Sequence, residues 1–169
     1  LLSPFFWNNL AEYQKQRILT FLNPDLDPMG SAYHIIQSVT AIGSGGFFGK
    51  GFGQGSQTQL KFLPVQESDF ILSVIAEEFG FMGISVVMII FFLFIKTLLD
   101  IAFKLSDYFS SLVIVGITSI LLSHIFINSA MTIGLLPVKG LPLPFISAGG
   151  SFLLSCFIML SLVINLSDN

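Results

Sequence analysis

Asp69 is the residue of this sequence whose position best suits acid–base chemistry. It stands in the segment ESDF, where a polar stretch rich in glycine and proline ends and a long apolar run begins. A carboxylate at such a boundary can act as a general base toward a substrate hydroxyl. The structural alternative is a helix cap, in which Ser68 or Asp69 accepts the free backbone N–H groups of the following helix. Position alone favours the cap.

Two further carboxylates, Glu77 and Glu78, lie inside the apolar run, roughly two helical turns beyond Asp69. An ionisable side chain within a membrane helix costs about 2.5 to 3.5 kcal/mol on insertion scales, so both are intramembrane polar candidates for a functional site. In the alternative interpretation, one glutamate pairs with a buried basic residue while the other reaches the membrane surface. The residues alone leave these two interpretations open.

A stripe of polar side chains follows one face of a later apolar segment, because His124, Asn128 and Thr132 recur at every fourth residue. The stripe is expected to face protein or water rather than lipid. Interhelical hydrogen bonds explain such residues without any catalysis, and this explanation is favoured for His124. A role in the chemistry is the competing explanation.

A second candidate site lies in the proline-rich segment PVKGLPLP, which carries Lys139. A little further along, Ser147 is followed by a Gly-Gly-Ser sequence that opens another apolar run. A lysine in a rigid loop beside a glycine-rich helix start offers a cation and free N–H groups to an anion. A purely structural re-entry turn is the competing explanation.

The glycine-rich stretch IGSGGFFGKGFGQGS matches neither of the common phosphate-binding motifs. In the P-loop pattern, Ser44 stands where the first glycine belongs and Gly51 where Ser or Thr belongs. The dinucleotide pattern fails as well, because Phe48 occupies its third glycine position. These glycines are therefore expected to permit tight turns and close approach of backbone segments.

Composition places the chain in a membrane. Of its 169 residues 53% are hydrophobic and 10% are charged, and the mean hydropathy is +0.85. Charge is too scarce to cover a soluble globule. The net charge of -3 offers no basic surface to nucleic acid, and the single Cys156 has no partner for a disulfide or a thiolate metal site.

The predicted architecture is an all-α, polytopic membrane protein with a large loop ahead of three transmembrane helices. The positive-inside rule puts the turn between Lys96 and Lys104 in the cytoplasm, which leaves the large loop and Lys139 together on the opposite face. Because the chain begins at Leu1 without a signal peptide, further helices are expected upstream, and the segment alone is expected to be inactive. The predicted segments are the end of a transmembrane helix and its exit (1–22), a large extracytoplasmic loop (23–69) with a short helix at about 31–41, a transmembrane helix (70–99), a cytoplasmic turn (100–107), a transmembrane helix (108–136), an extracytoplasmic loop (137–144) and a transmembrane helix (145–166).

Three blocks of the sequence resemble the SEDS proteins (shape, elongation, division and sporulation). They are the stretch from QKQRILTFLNPDLDPMGS to TQLKFLP, the segment SDFILSVIAEEFGFMG, and GLLPVKGLPLPFISAGGS. Together they cover most of the chain. The resemblance implies a ten-helix protein of the bacterial cytoplasmic (inner) membrane, of which this chain holds the end of the seventh helix, the large loop and the last three helices.

The resemblance also implies an activity, the polymerisation of lipid II, an undecaprenyl-diphosphate disaccharide-pentapeptide, by an inverting peptidoglycan glycosyltransferase. The essential loop aspartate of the family falls on Asp69, which would take the proton of the acceptor hydroxyl. Positive charge for the leaving diphosphate would come from basic residues of the outer face, and a divalent cation could share that task. Family members work with a class B penicillin-binding protein, a transpeptidase that crosslinks the strands. The candidate substrate-binding residues are Arg17, Gln37, Lys61, Lys139 and Ser147.

Three positions depart from the usual pattern of the family. Glu67 and Ser68 stand where His and Thr usually precede the aspartate, and Glu67 exchanges a potential cation for an anion. Ala148 stands where a tyrosine usually precedes Gly-Gly-Ser, which removes a ring from that place.

Two other functions suit the same residues. A lipid flippase or permease would also use intramembrane carboxylates and a polar stripe. A non-catalytic scaffold that docks a transpeptidase would not need Asp69 at all. Within the enzyme interpretation the motifs are mixed, since "LLPV" and "GSQTQLKFLPV" are typical of the rod-shape members and Lys139 in "VKGLPLPF" of the division members. The rod-shape type is slightly favoured.

Overall fold

The computed structural model describes residues 11, 12, 14, 15, 18, 19, 31–55 and 69–167, except the side chains of residues 31 and 32. These residues form helices and loops, in agreement with the predicted all-α class. The long helices are α1 (Ser31–Gly45), α2 (Ile71–Lys104), α3 (Tyr108–Thr132) and α4 (Gly150–Ser167). The last three are each long and apolar enough to cross a membrane.

The helix boundaries differ from the predicted ones in ways that their end residues explain. Helix α1 runs to Gly45 instead of residue 41, so the glycines there do not stop it. Helix α2 continues through Asp100 to Lys104, which shortens the predicted turn 100–107 to three residues. Helix α3 ends at Thr132, just before Gly134 adopts a φ of +75°. A Gly in this left-handed conformation commonly terminates a helix.

The turn between α2 and α3 is closed by Asp107. Its carboxylate accepts hydrogen bonds from the backbone N–H of Phe109 at 3.3 Å and from the N–H and hydroxyl of Ser110 at 2.9 and 2.6 Å. These bonds satisfy the free donors at the start of α3, as an N-cap does. The Ser110 hydroxyl and the two N–H groups hold the pKa of Asp107 below its ordinary value of 3.8.

The core lies between α2 and α3, and α1 and α4 pack on its flanks. Phe145, in the loop before α4, has a φ of +63° and contacts the rings of Phe94 in α2 and Phe157 in α4. This ring cluster fixes the second half of the loop to the helices. The buried core residues are Leu72, Phe91, Ile95, Leu98, Ala102, Ile114, Ile117, Leu121, Ile125, Leu143, Cys156 and Val163.

Helix α2 is broken at Gly80, whose φ of 66° and ψ of −160° are not helical. The residues that follow α1, here called the glycine loop (46–55), supply hydrogen bonds to the backbone freed by the break. Before the break, the N–H groups of Lys50 and Gly51 bind the carbonyls of Glu77 and Glu78 at 2.9 and 3.0 Å. After it, the N–H groups of residues 81 and 82 bind the carbonyls of residues 46 and 47 at 2.9 and 3.2 Å.

Close contact at the break explains why glycine occurs where it does. A Cβ at Gly49 would lie 2.1 Å from the carbonyl oxygen of Glu78, and one at Gly80 would lie 2.3 Å from the backbone nitrogen of Gly49. Real Cβ atoms do not come so near to backbone. The prediction that the glycine-rich stretch permits close approach of backbone segments is confirmed at Gly45 and Gly49, which lie against the backbone of Ala76 and Glu78. The paired backbone groups leave the half-helix 71–79 firmly attached to the glycine loop.

Candidate functional site

Asp69 lies immediately before α2, where its backbone is held from another helix. The residue is half-buried, and its carbonyl oxygen accepts a hydrogen bond from Asn128 Nδ2 at 3.0 Å. The residue that caps α2, Phe70, makes no side-chain cap bond, and within the described residues the Asp69 carboxylate accepts no hydrogen bond. The cap interpretation therefore finds no support at Asp69, while Ser68 lies outside the described residues.

The Asp69 carboxylate lies against the loop that carries Lys139. A Cβ built on Gly140 would be 3.5 Å from Asp69 Oδ2, a van der Waals contact, and Gly140 has a φ of +66°. The backbone N–H of Lys139 is bound to the sulfur of Met131 at 3.2 Å, and its side chain is exposed. Asp69, the last residue of the predicted large loop, thus lies close to the Lys139 loop.

Asn128 of α3 joins the two parts of this site. Its side chain is fully buried, and Nδ2 donates both to the Asp69 carbonyl at 3.0 Å and to the Leu141 carbonyl at 2.7 Å. Oδ1 has no hydrogen-bond partner in the described part of the chain. The Asn128 amide therefore links the backbone just before α2 to the backbone of the Lys139 loop.

The other members of the polar stripe face protein, as predicted. His124 is stacked on Phe152 of α4 with ring centroids 4.7 Å apart, and its Nδ1 lies 3.4 Å from the Pro142 carbonyl. Thr132 is buried, and its carbonyl accepts a bond of 2.6 Å from Ser38 of α1. The Thr132 hydroxyl itself donates to the Ser129 carbonyl within α3 at 2.8 Å, so the bond between helices uses only the backbone of Thr132. His124 and Asn128 contact the Lys139 loop.

Ser147 is buried inside the loop before α4. Its hydroxyl accepts the N–H of Leu143 at 2.8 Å, and its own N–H binds the Leu143 carbonyl at 3.1 Å. This reciprocal pair closes the loop after Lys139. Ala148, at the position where the family usually has tyrosine, is exposed.

Glu77 is paired with Lys50 from the glycine loop. The Lys50 Nζ lies 2.8 Å from Glu77 Oε1, the carboxylate is fully buried and the lysine side chain is 29% exposed. Glu78 lies at the surface of the same turn, where its Oε1 accepts the N–H of Gly53 at 3.1 Å. The two glutamates hold the glycine loop against the break in α2, which agrees with the paired interpretation of one of them.

Gln37 lies on α1 and takes no part in the hydrogen bonds that Asn128 makes to Asp69 and Leu141. Its Oε1 is buried and has no hydrogen-bond partner among the residues that the structure describes. Arg17 and Lys61, the other two basic candidates, lie outside the described residues, as does Glu67. Within the described ranges, no three His, Cys, Asp or Glu side chains come together as a metal site, so the residues there do not form a ligand set for a divalent cation.

Lys50 is the residue of this region that sequence reasoning missed. The sequence motifs give it no role, because the P-loop pattern in which it would be the lysine fails. The sequence does contain a signal for this pair. Lys50 stands between two glycines, two glutamates stand in the apolar run, and charged groups in such a setting need partners of opposite charge. The two hydrogen bonds from Asn128 to backbone carbonyls leave no comparable signal in the sequence, since every residue carries a carbonyl group.

The fold and the site define a multi-pass helical membrane protein in which loops outside the spans meet at a carboxylate. The family described as cell cycle protein, FtsW/RodA/SpoVE, matches the chain over residues 1–169, and the chain belongs to this family. Its members are the SEDS proteins that the sequence motifs indicated, and the chain is a multi-pass protein of the bacterial inner membrane.

Individual relatives agree with this assignment. The chain is 45% identical over 152 residues to the peptidoglycan glycosyltransferase MrdB of Escherichia coli K12, covering 89% of this chain and 41% of the relative. It is 44% identical over 157 residues to the probable peptidoglycan glycosyltransferase FtsW of Trichlorobacter lovleyi, covering 93% of this chain and 41% of the relative. The chain therefore spans less than half the length of these relatives.

A solved structure has the same fold. It comes from work on the structural coordination of polymerization and crosslinking by a peptidoglycan synthase complex, and the match has a TM-score of 0.79 at 28% identity. The match covers 99% of this chain and 46% of that one. This fold is therefore shared with slightly less than half of that chain.

Proposed function

We propose that the full-length protein containing this chain is a peptidoglycan glycosyltransferase that polymerises lipid II into glycan strands. The observation that carries the proposal is the proximity of Asp69 to the loop that carries Lys139, since Asn128 Nδ2 binds the carbonyls of both Asp69 and Leu141. A carboxylate that accepts no hydrogen bond within the described residues, close to a loop that carries an exposed lysine, supplies the two kinds of charge that glycosyl transfer from a diphosphate requires. Relatives named peptidoglycan glycosyltransferase support the same reaction.

In the proposed reaction Asp69 accepts the proton of the acceptor sugar hydroxyl. The hydroxyl oxygen forms a bond to the anomeric carbon of the donor sugar while the bond from that carbon to the lipid diphosphate breaks, and the configuration inverts. The diphosphate leaves with the electron pair and is stabilised by the Lys139 ammonium group. Arg17 and Lys61 stay candidates for the same task, and Gln37 and Ser147 for contacts to the substrate or to the loop that binds it.

The reaction takes place on the extracytoplasmic face in this proposal. Lys96 and Lys104 lie at the opposite end of α2 from Asp69, which supports a cytoplasmic turn at 105–107 by the positive-inside rule. Cysteine in place of Leu105 or Gly140 tests the orientation. An impermeant thiol reagent added to intact cells should label position 140 and not position 105. The reverse labelling pattern would overturn the proposed orientation.

A class B penicillin-binding protein is the proposed partner. The solved structure that this chain matches comes from a complex that coordinates polymerization with crosslinking, and a transpeptidase is the crosslinking enzyme. Co-purification of the full-length protein with the transpeptidase should survive Asp69→Asn, because that residue belongs to the polymerase site and not to the docking surface.

Elongation rather than division is the proposed setting, and complementation of depletion strains for each process tests it.

A lipid flippase is the second candidate, and one observation favours it. Helix α2 is discontinuous at Gly80 beside a buried ion pair, an arrangement that transporters use at the midpoint of their path. Proteoliposomes that contain the full-length protein and fluorescent lipid II distinguish the two functions. The glycosyltransferase forms polymer that Asp69→Asn abolishes, whereas the flippase moves monomeric lipid II across the bilayer without polymer.

A further inference from the structure

Asn128 occupies a position from which it can set the geometry of the proposed site without touching substrate. The Asp69 carbonyl belongs to the segment before α2 and the Leu141 carbonyl to the Lys139 loop, and the two protons of one amide nitrogen bind both. Since both partners can only accept hydrogen bonds, the nitrogen of the amide must face them. The orientation of the side chain is therefore fixed by its partners.

The burial of Asn128 makes these two bonds costly to lose. The side chain has no solvent exposure, so a carbonyl deprived of this donor has no water at that side to replace it. Oδ1 finds no hydrogen-bond partner among the described residues, a desolvation cost that an apolar residue of similar volume would avoid. The amide is thus a poor choice for filling the core and a good choice for joining two backbones.

A second group on the same face of α3 acts on the same loop. His124, one helical turn before Asn128, reaches toward the Pro142 carbonyl and is held by its stacking on Phe152. Helix α3 therefore contacts two successive carbonyls of the Lys139 loop, at Leu141 and Pro142. Of His124 and Asn128, only Asn128 also binds Asp69, the residue that carries the proposed base.

We infer that Asn128 is a positioning residue that sets the distance between the Asp69 carboxylate and the Lys139 loop, an inference that rests on the proposed glycosyltransferase function. A base and a leaving-group cation act together only when both are aligned on the substrate. A displacement of about 1 Å at such a site can reduce the rate by about 100-fold. Loss of the Asn128 bonds should reduce the rate of the chemical step and leave the binding of lipid II almost unchanged.

The test uses the full-length protein with Asn128→Leu, which keeps the branched shape and the number of side-chain heavy atoms and removes both donors. The expected result is a kcat about 100-fold lower with a KM for lipid II within about threefold of wild type. Asn128→Gln keeps the amide on a longer side chain and should recover at least part of the loss. Thr118→Val is the matched control, since it removes another buried hydrogen bond of α3, from Thr118 Oγ1 to the Ile114 carbonyl, and should leave kcat near wild type.

Hydrogen exchange gives a readout that does not depend on activity. Backbone amides of residues 137–144 should exchange faster in Asn128→Leu than in wild type, and the Thr118→Val protein should match wild type there. Unchanged exchange in this loop, a kcat near wild type in Asn128→Leu, or an equal loss of kcat in Thr118→Val would each overturn the inference. Asp69→Asn is measured in parallel: full synthesis by that variant contradicts the proposed function, while the exchange rates still decide whether Asn128 holds the loop.

Discussion

The Lys50 ammonium group lies 2.8 Å from a carboxylate oxygen of Glu77, a side chain with no solvent exposure. This pair links the glycine loop to the half-helix 71–79, and Asp69 stands directly before that half-helix. The four backbone hydrogen bonds around Gly80 run beside the same pair. The position of the carboxylate in the candidate site therefore depends on contacts that lie at the far end of its half-helix.

Removal of the cation from this pair should destabilise the protein. Lys50→Met is expected to lower the stability of the full-length protein by about 2 to 4 kcal/mol, because breaking a buried pair leaves a charge behind, while the partial exposure of Lys50 moderates the loss. Thermal unfolding in detergent measures the effect. Lys15→Met is the control, since its partner Glu12 is 90% exposed and the pair should contribute less than about 1 kcal/mol. Equal shifts in the two variants would contradict the role given to Lys50.

The break in α2 should not tolerate a side chain. Gly80→Ala is expected to cost about 2 kcal/mol or more, because alanine in this left-handed conformation is strained and its Cβ would meet the glycine loop backbone. Gly116→Ala in the middle of α3 provides the control, since nothing lies within 4 Å of a Cβ there. The yield and melting temperature of folded protein should fall for the first variant only. A normal melting temperature for Gly80→Ala would mean that α2 is continuous.

The cap of α3 should respond to acid. Hydrogen bonds from Ser110 and Phe109 lower the pKa of Asp107 in the folded protein, so its contribution to stability is complete above the ordinary pKa of 3.8 that it has in the unfolded chain. The contribution is lost as the pH falls through the lower folded value. The stability difference between wild type and Asp107→Ala should therefore be constant near neutral pH and shrink below about pH 4. A stability difference between wild type and Asp107→Ala that widens below about pH 4 would contradict this role of the cap.

The loop lysine should act on the reaction rather than on the fold. Lys139→Gln is expected to lower kcat/KM for lipid II polymerisation by about 10- to 100-fold, since it removes a cation from the developing diphosphate. Its side chain is exposed, so the melting temperature should stay near that of wild type. Lys104→Gln at the other end of α2 should retain full activity. Wild-type kinetics in Lys139→Gln would contradict this role and would mean that another basic residue stabilises the leaving diphosphate.

Much of the fold follows from local sequence features. The three apolar runs predict three spanning helices, the four-residue spacing of His124, Asn128 and Thr132 predicts that they face protein, and the failed phosphate motifs leave close packing as the reason for the glycines. These features work because hydropathy and helical periodicity act over a few neighbouring residues. The ends of the helices were less predictable, since Asp100 suggested a turn where the cap at Asp107 decides the boundary.

The contacts between distant segments could not be predicted from the sequence. Gly80 lies in an apolar run that reads as one continuous helix, and only the approach of the glycine loop makes a break at this residue stable. The pairing of Lys50 with Glu77 depends on the same tertiary arrangement. So do the two hydrogen bonds from Asn128 to the backbone of two separate loops. A single sequence shows the groups that need partners but does not show which partners the fold supplies.

The most direct test is the rate of glycan synthesis by full-length Asp69→Asn protein supplied with purified lipid II and its transpeptidase partner. The substitution keeps the shape of the side chain and the backbone carbonyl that Asn128 binds, so the protein should fold, bind its partner and melt as wild type does. Its synthesis rate should fall by about 100-fold or more, the usual range for loss of a general base. A synthesis rate equal to that of wild type would contradict the assignment of Asp69 as the base.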